Sequence, residues 1–138
     1  MGLPVLHELG FEPGVEWLRD EFQEQYGLQV QVNCEPLPSS LESAQVTFLF
    51  RAVRELLTNV GKHAQAKRVE ITVKIEGDFF SLRVADDGIG LEVSNLTKVA
   101  GFGLFSIAER VSNQGGKMEF TSAPGQGTMV TITMPLAH

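Results

Sequence analysis

Two apolar ladders separated by one tight turn constrain this chain most. Val69, Ile71, Val73 and Ile75 alternate with other residues, Gly77-Asp78 follows, and Phe80, Leu82 and Val84 alternate again. Successive strand side chains point to opposite faces, so each ladder carries one apolar face. The Gly-Asp pair between them predicts a β-hairpin. A sheet with one apolar face must be covered, and amphipathic helices are the usual cover.

Three segments have the spacing to provide it. Pro13 suits the first turn of a helix and Gly27 its end, with Val15, Leu18, Phe22 and Tyr26 on one stripe between them. A second helix carries Val46, Leu49, Phe50, Val53, Leu56, Leu57 and Val60 as a wide apolar face and fades near His63-Ala64. Ser39 with Glu42 three residues on predicts a capping box at its start. A third helix over roughly 104–113 aligns Leu104, Ile107, Ala108 and Val111, and Gly115-Gly116 ends it.

Three more strands complete the pattern. Residues 28–32 alternate, Met118 and Phe120 begin another strand, and Pro124-Gly125-Gln126-Gly127 turns the chain into Met129–Met134. The fold class is α+β. It is expected as a two-layer sandwich, a mixed and mostly antiparallel sheet of about five strands covered on one face by three helices.

With 138 residues the chain suits one domain with one core. We expect residues 1–11 to be an arm leading into a domain at 12–138. Hydrophobic residues make up 43% and charged residues 20%, a globular balance. Net charge is -6, which argues against a nucleic-acid partner because phosphate neutralisation needs a basic face. It does not exclude a nucleotide, which a local set of amides and one lysine can hold. The lone thiol, Cys34, can form neither an internal disulfide nor a cysteine-based metal site, and an inert structural role is expected. Trp17 is expected in the core or on a docking face. The sequence shows neither a bilayer-spanning apolar run nor a signal peptide, so a cytoplasmic setting is expected, whether or not a parent protein is membrane-anchored.

Four segments carry candidate chemistry. In Arg54–Ala64, Glu55, Asn59 and Lys62 are expected on one side of the second helix, with His63 beside them. An acid, an amide oxygen and an ammonium so placed can serve Mg²⁺ and phosphate together. An exposed polar stripe would look the same. In Val84-Ala-Asp-Asp-Gly-Ile-Gly90, Asp86 ends a strand, and its carboxylate can accept from an exocyclic amine. A tight Asp-Gly turn is the ordinary alternative. Gly101-Phe-Gly-Leu104 leads into the third helix, where exposed amides favour phosphate, although glycine at a helix start is common. Gly125-Gln-Gly-Thr128 alone is simply a hairpin turn.

In this order the four segments resemble the catalytic domain of histidine kinases. That domain belongs to a wider ATPase superfamily with DNA gyrase, heat-shock chaperones and mismatch-repair ATPases. Glu55-Leu-Leu-Thr-Asn59 with Lys62-His63-Ala64 is similar to the N-box of the nitrate-type sensor kinases. Gly101-Phe-Gly-Leu-Phe-Ser-Ile-Ala-Glu-Arg110 is similar to their second glycine box. Leu3-Pro4 and Leu9-Gly10-Phe11 look like the link to a helical dimerisation segment.

The resemblance implies the Bergerat-type ATPase fold, ATP and Mg²⁺. It implies Asn59 as metal ligand, Glu55 beside the metal, and Lys62 and His63 near the phosphates. Asp86 would read the adenine amine with support from Thr128. Gly88 and Gly90 would allow close approach, Gly101 and Gly103 would hinge a lid over residues 91–100 that carries Lys98, and the helix from Leu104 would offer amides. The implied reaction transfers the ATP γ-phosphoryl group to a histidine on a dimerisation segment, for relay to an aspartate of a response regulator. His7 lies in the arm beside Pro4 and Gly10 and is not expected to be that acceptor; His138 is terminal. The isolated chain is then expected to be monomeric and unable to phosphorylate itself. A serine kinase or anti-sigma regulator of the same superfamily, or a non-catalytic nucleotide sensor, remain open on the residues alone.

Overall fold

The computed structural model describes residues 10–38, 41–89, 102–123 and 125–136, without the side chains of 63, 64, 102 and 103. Helix α1 spans Phe11–Tyr26, with Pro13 in its first turn, where its missing N–H costs no helical bond. Gly27 closes it in the left-handed conformation (φ 68°), and the Gly27 N–H donates to the Gln23 carbonyl at 3.0 Å. Phe11, Val15, Leu18 and Phe22 are buried along one side. Strand β1 follows at Gln29–Cys34.

Helix α2 runs Ser43–Asn59. This corrects the expected capping box. Glu42 is itself the N-cap, extended at φ -70° and ψ 148°, and makes no side-chain cap bond. Ser39 lies outside the described residues. From Phe48 to Leu57 the helix buries Phe48, Leu49, Phe50, Ala52, Val53, Leu56 and Leu57. Three consecutive buried residues mean contact on more than one side, and α2 is the middle helix, touching both α1 and the last helix. The chain then leaves α geometry for a π-helical turn at Val60–Ala64, and Gln65 ends it at φ 51°.

Strands β2 (Arg68–Glu76) and β3 (Phe79–Asp86) form the expected hairpin. Helix α3 covers Phe102–Asn113 and closes with the Gly116 N–H on the Val111 carbonyl at 2.8 Å. Strands β4 (Lys117–Ser122) and β5 (Thr128–Pro135) end the fold. The sheet order is β1-β2-β3-β5-β4. Only the β1–β2 pair is parallel, which its helical crossover through α2 permits; the other pairings are antiparallel. Among the described residues the expected five strands and three helices are present.

Register explains the core. Directly paired residues share a face, so the core side of the sheet is a stack of transverse rows. One row reads Val32, Ile71, Val84, Val130, Phe120; the next reads Cys34, Val73, Leu82, Ile132, Met118. These rows meet Leu18, Phe50, Val53 and Leu57 of the helices in one apolar cluster. Phe50 and Phe80 are fully buried, and truncating either to Ala costs on the order of 3–5 kcal/mol. The opposite face carries Glu70, Lys74, Arg83 and Thr131, the polar half of the alternation.

Candidate nucleotide site

The apolar stack stops at one end of the sheet. There the core-side row reads Val30, Val69, Asp86, Thr128, Ser122. A polar group therefore stands on each of β3, β5 and β4 where a hydrophobic residue would continue the pattern. The Asp86 carboxylate accepts from the Gly88 N–H at 2.8 Å and from the Thr128 backbone amide. Burial pushes its pKa above the ordinary 3.8, and the two amide bonds oppose that rise. Ser122 and Thr128 hydroxyls lie 2.9 Å apart, and Ser122 Oγ also donates to the Gly127 carbonyl at 3.2 Å. With the Ser122 proton spent there, Thr128 donates to Ser122 and keeps its own lone pairs for an incoming donor.

Neighbouring residues fix this end. Asp87 Oδ1 accepts from the backbone N–H groups of Lys67 at 2.8 Å and Arg68 at 2.9 Å, which holds the Asp87 pKa below the usual carboxylate value. The Asp87 N–H returns a bond to the Arg68 carbonyl at 3.2 Å. The chain after β3 is thereby clasped to the start of β2. Gly127 sits at φ +75°, and a Cβ there would run into the Asp86 carbonyl oxygen. Only glycine lets β5 approach so closely. A cavity of about 520 Å³ at this end is lined mostly by the opposite sheet face, through Gln29, Gln31, Arg68, Glu70, Ala85 and Asp87, so it opens behind the polar row and not in front of it.

The second group of candidates stands on α2. Glu55 and Asn59 are both half-buried, one helical turn apart. The Asn59 Nδ2 is shielded from solvent and has no hydrogen-bond partner among the described residues. A buried amide left unpaired is costly and marks a position held for something other than packing. Glu55 lines a groove of about 160 Å³ between α2 and α3 with Arg51, Arg54 and Arg110, and the Arg110 guanidinium lies 4.9 Å above the Phe48 ring. Lys62 is exposed in the π turn. A π turn takes more residues per revolution, so Lys62 is rotated off the line of Glu55 and Asn59, which corrects the single stripe expected from α spacing. His63 has its backbone in that turn, and its side chain lies outside the described residues.

The structure thus joins Asp86, Gly88 and Thr128 through hydrogen bonds and sets Glu55, Asn59 and Lys62 on the helix layer that covers the same face. Gly103 lies inside the first turn of α3, not before it, and Leu104 is buried, so Leu104 meets a ligand only through its backbone. Gly90, Gly101, Lys98, the lid at 91–100, His7 and His138 lie outside the described residues. Trp17 is half-buried against the core. The Cys34 thiol is pushed from 9.0 up to about 11, chiefly by burial and then by the carboxylates of Glu12, Glu16 and Glu35.

Sequence reasoning missed Ser122 and the arginines of the α2–α3 groove, and took Asp87 and Gly127 only as members of turns. Ser122 is visible only once β4 is registered against β5.

Comparison with known proteins follows the same lines. The chain is 30% identical over 132 residues to the sensor histidine kinase LiaS of Bacillus subtilis, covering 96% of this chain and 36% of that protein. It is 32% identical over 134 residues to a NarQ homolog sensor protein of Haemophilus influenzae, covering 95% of this chain and 23% of the relative. The chain therefore spans a minor part of the relatives it matches. The histidine kinase domain of a blue-light activated histidine kinase from Erythrobacter litoralis superposes with a TM-score of 0.72 at 20% identity, over 91% of this chain and 59% of that one. At that identity the likeness shows the fold. Residues 44–138 match the family described as histidine kinase-, DNA gyrase B-, and HSP90-like ATPase, and the chain belongs to that family.

Proposed function

We propose that this chain is the ATP-binding catalytic domain of a sensor histidine kinase. It would deliver the γ-phosphoryl group to a histidine on a dimerisation segment outside this chain, for relay to a response regulator aspartate. The observation that carries the reading is the polar end of the core-side row. A carboxylate and a hydroxyl with free lone pairs are what an adenine amine requires. Ile89, 44% exposed just beyond Asp86, offers apolar surface for a flat ring.

The phosphate end falls to α2. The donor set suits Mg²⁺, since Asn59 supplies a hard amide oxygen and Glu55 a carboxylate one turn away; the unpartnered Asn59 Nδ2 is a donor and favours an acceptor such as a phosphate oxygen beside the ion. When bound, the ion would neutralise phosphate charge. Lys62 brings a mobile ammonium to the same end, and Arg51, Arg54 and Arg110 make the groove beside Glu55 positive. Phosphoryl transfer is catalysed mainly by positioning and charge neutralisation, so these residues hold and orient the triphosphate while the acceptor supplies the nucleophile.

Calorimetric titration of the chain with ATP, with and without Mg²⁺, tests this. Asp86→Ala should weaken ATP binding by roughly ten- to a hundredfold, the worth of a hydrogen bond to a charged acceptor. Asn59→Ala should abolish most of the Mg²⁺ dependence. Equal ATP affinity with and without the metal would turn the reading toward a nucleotide sensor.

A further inference from the structure

One contact links the first helix, outside the family-matched segment 44–138, to the phosphate end of the site. A Cβ built on Gly61 would lie 2.7 Å from Tyr26 Cδ2 and 2.8 Å from both Cε2 and Cγ. The Tyr26 ring therefore lies directly on the Gly61 backbone. Gly61 does not have a positive φ, so its backbone conformation is one that other residues adopt. What demands glycine here is the ring, and a glycine in a helical turn otherwise weakens it.

The ring is held from the other side as well. Tyr26 stacks on Phe22, with centroids 5.6 Å apart and planes at 20°, and Phe22 is buried in the core. The end of α1 is fixed by the Gly27 cap, and the Gln23 side chain accepts from the Val30 N–H at 3.1 Å, tying the helix to β1. Gly61 in turn lies between Asn59 and Lys62, inside the π turn. Such turns interrupt α-helices mostly where function requires a displaced residue. A rigid ring thus bears on the backbone that separates the candidate metal ligand from the candidate phosphate lysine.

We propose that Tyr26 is a positioning residue for the phosphate end of the nucleotide site, acting through Gly61. This rests on the nucleotide reading above. Neither Tyr26 nor Gly61 is a hydrogen-bond partner of Asp86 or Thr128 among the described residues, so disturbing the contact should alter what the triphosphate gains and leave adenine recognition alone.

The test measures ATP with Mg²⁺, and adenosine, against the whole chain. Gly61→Ala wedges the ring and should lower ATP affinity about tenfold, in line with misplacement effects at distant sites. Adenosine affinity should stay unchanged. Adding Tyr26→Ala to Gly61→Ala should lower ATP affinity no further than Tyr26→Ala alone does, because both changes act through one contact. If Gly61→Ala does not fold, Tyr26→Phe should retain ATP affinity, while Tyr26→Ala lowers it without touching adenosine. Parallel losses for ATP and adenosine, or losses that simply add in the double variant, overturn the positioning role. A parent chain that binds adenosine but gains nothing from the triphosphate also overturns it. Failure to bind either compound sinks the nucleotide reading, and this inference with it.

Discussion

At the scale of single residues, Asp86 carries a conflict between folding and binding. Its raised pKa means that the folded chain holds the proton more tightly than the unfolded chain does. Its favourable contribution to folding is full below the ordinary 3.8 and is lost as pH rises through the elevated folded-state value. At pH 7 the ionised group therefore works against the empty domain. Asp86→Asn should raise the melting temperature at pH 7, with the gain shrinking as the pH is lowered toward 3.8, while ATP affinity falls. Melting curves across pH, beside ATP titrations, check both halves. Gly127 is the converse case, a residue with no chemistry whose replacement is expensive. Gly127→Ala meets both a strained φ and the Asp86 carbonyl, so urea denaturation should show a loss of about 2 kcal/mol or more. Cys34, pushed to about 11, should resist alkylation at pH 8, and the rate should climb as the pH approaches that value.

At the scale of elements, alternation and helical spacing determined nearly everything they bear on. The β2–β3 ladder was legible because a period of two with a Gly-Asp turn admits few other structures. The start of α2 was not. Ser39 and Glu42 have capping-box spacing, but spacing does not say which residue turns extended, and the backbone does so at Glu42. That position has cap geometry and lacks a cap bond, so Glu42→Ser should stabilise the domain by roughly 0.5–1 kcal/mol in urea denaturation. The π turn was equally hidden, because its residues read as ordinary helix. Tyr26 was legible as a member of an apolar stripe, yet its partner Gly61 depends on how two helices pack. Ser122 shows the same limit in the sheet. Its place beside Thr128 follows from register between β4 and β5, which no local pattern contains.

At the scale of the whole molecule, the family fold places the polar row of the sheet and the polar end of α2 on one side. The order of four short segments is what pointed to the family. Each alone was an ordinary turn or stripe; their succession along one chain was the informative signal. On the proposed reading the acceptor histidine lies outside these residues, so they are expected to bind ATP without acquiring phosphate. Incubation with γ-labelled ATP should leave the 138-residue chain unlabelled under conditions that preserve phosphohistidine.

The three polar positions at the sheet's end have a mechanical corollary. Asp86, Thr128 and Ser122 belong to three adjacent strands, the last of which forms an open border of the sheet. Strand borders are where amide protons escape to solvent first. A molecule gripping Asp86 and Thr128 would suppress that fraying through Ser122, so occupancy of the site would be legible as slower deuterium uptake along Lys117–Ser122.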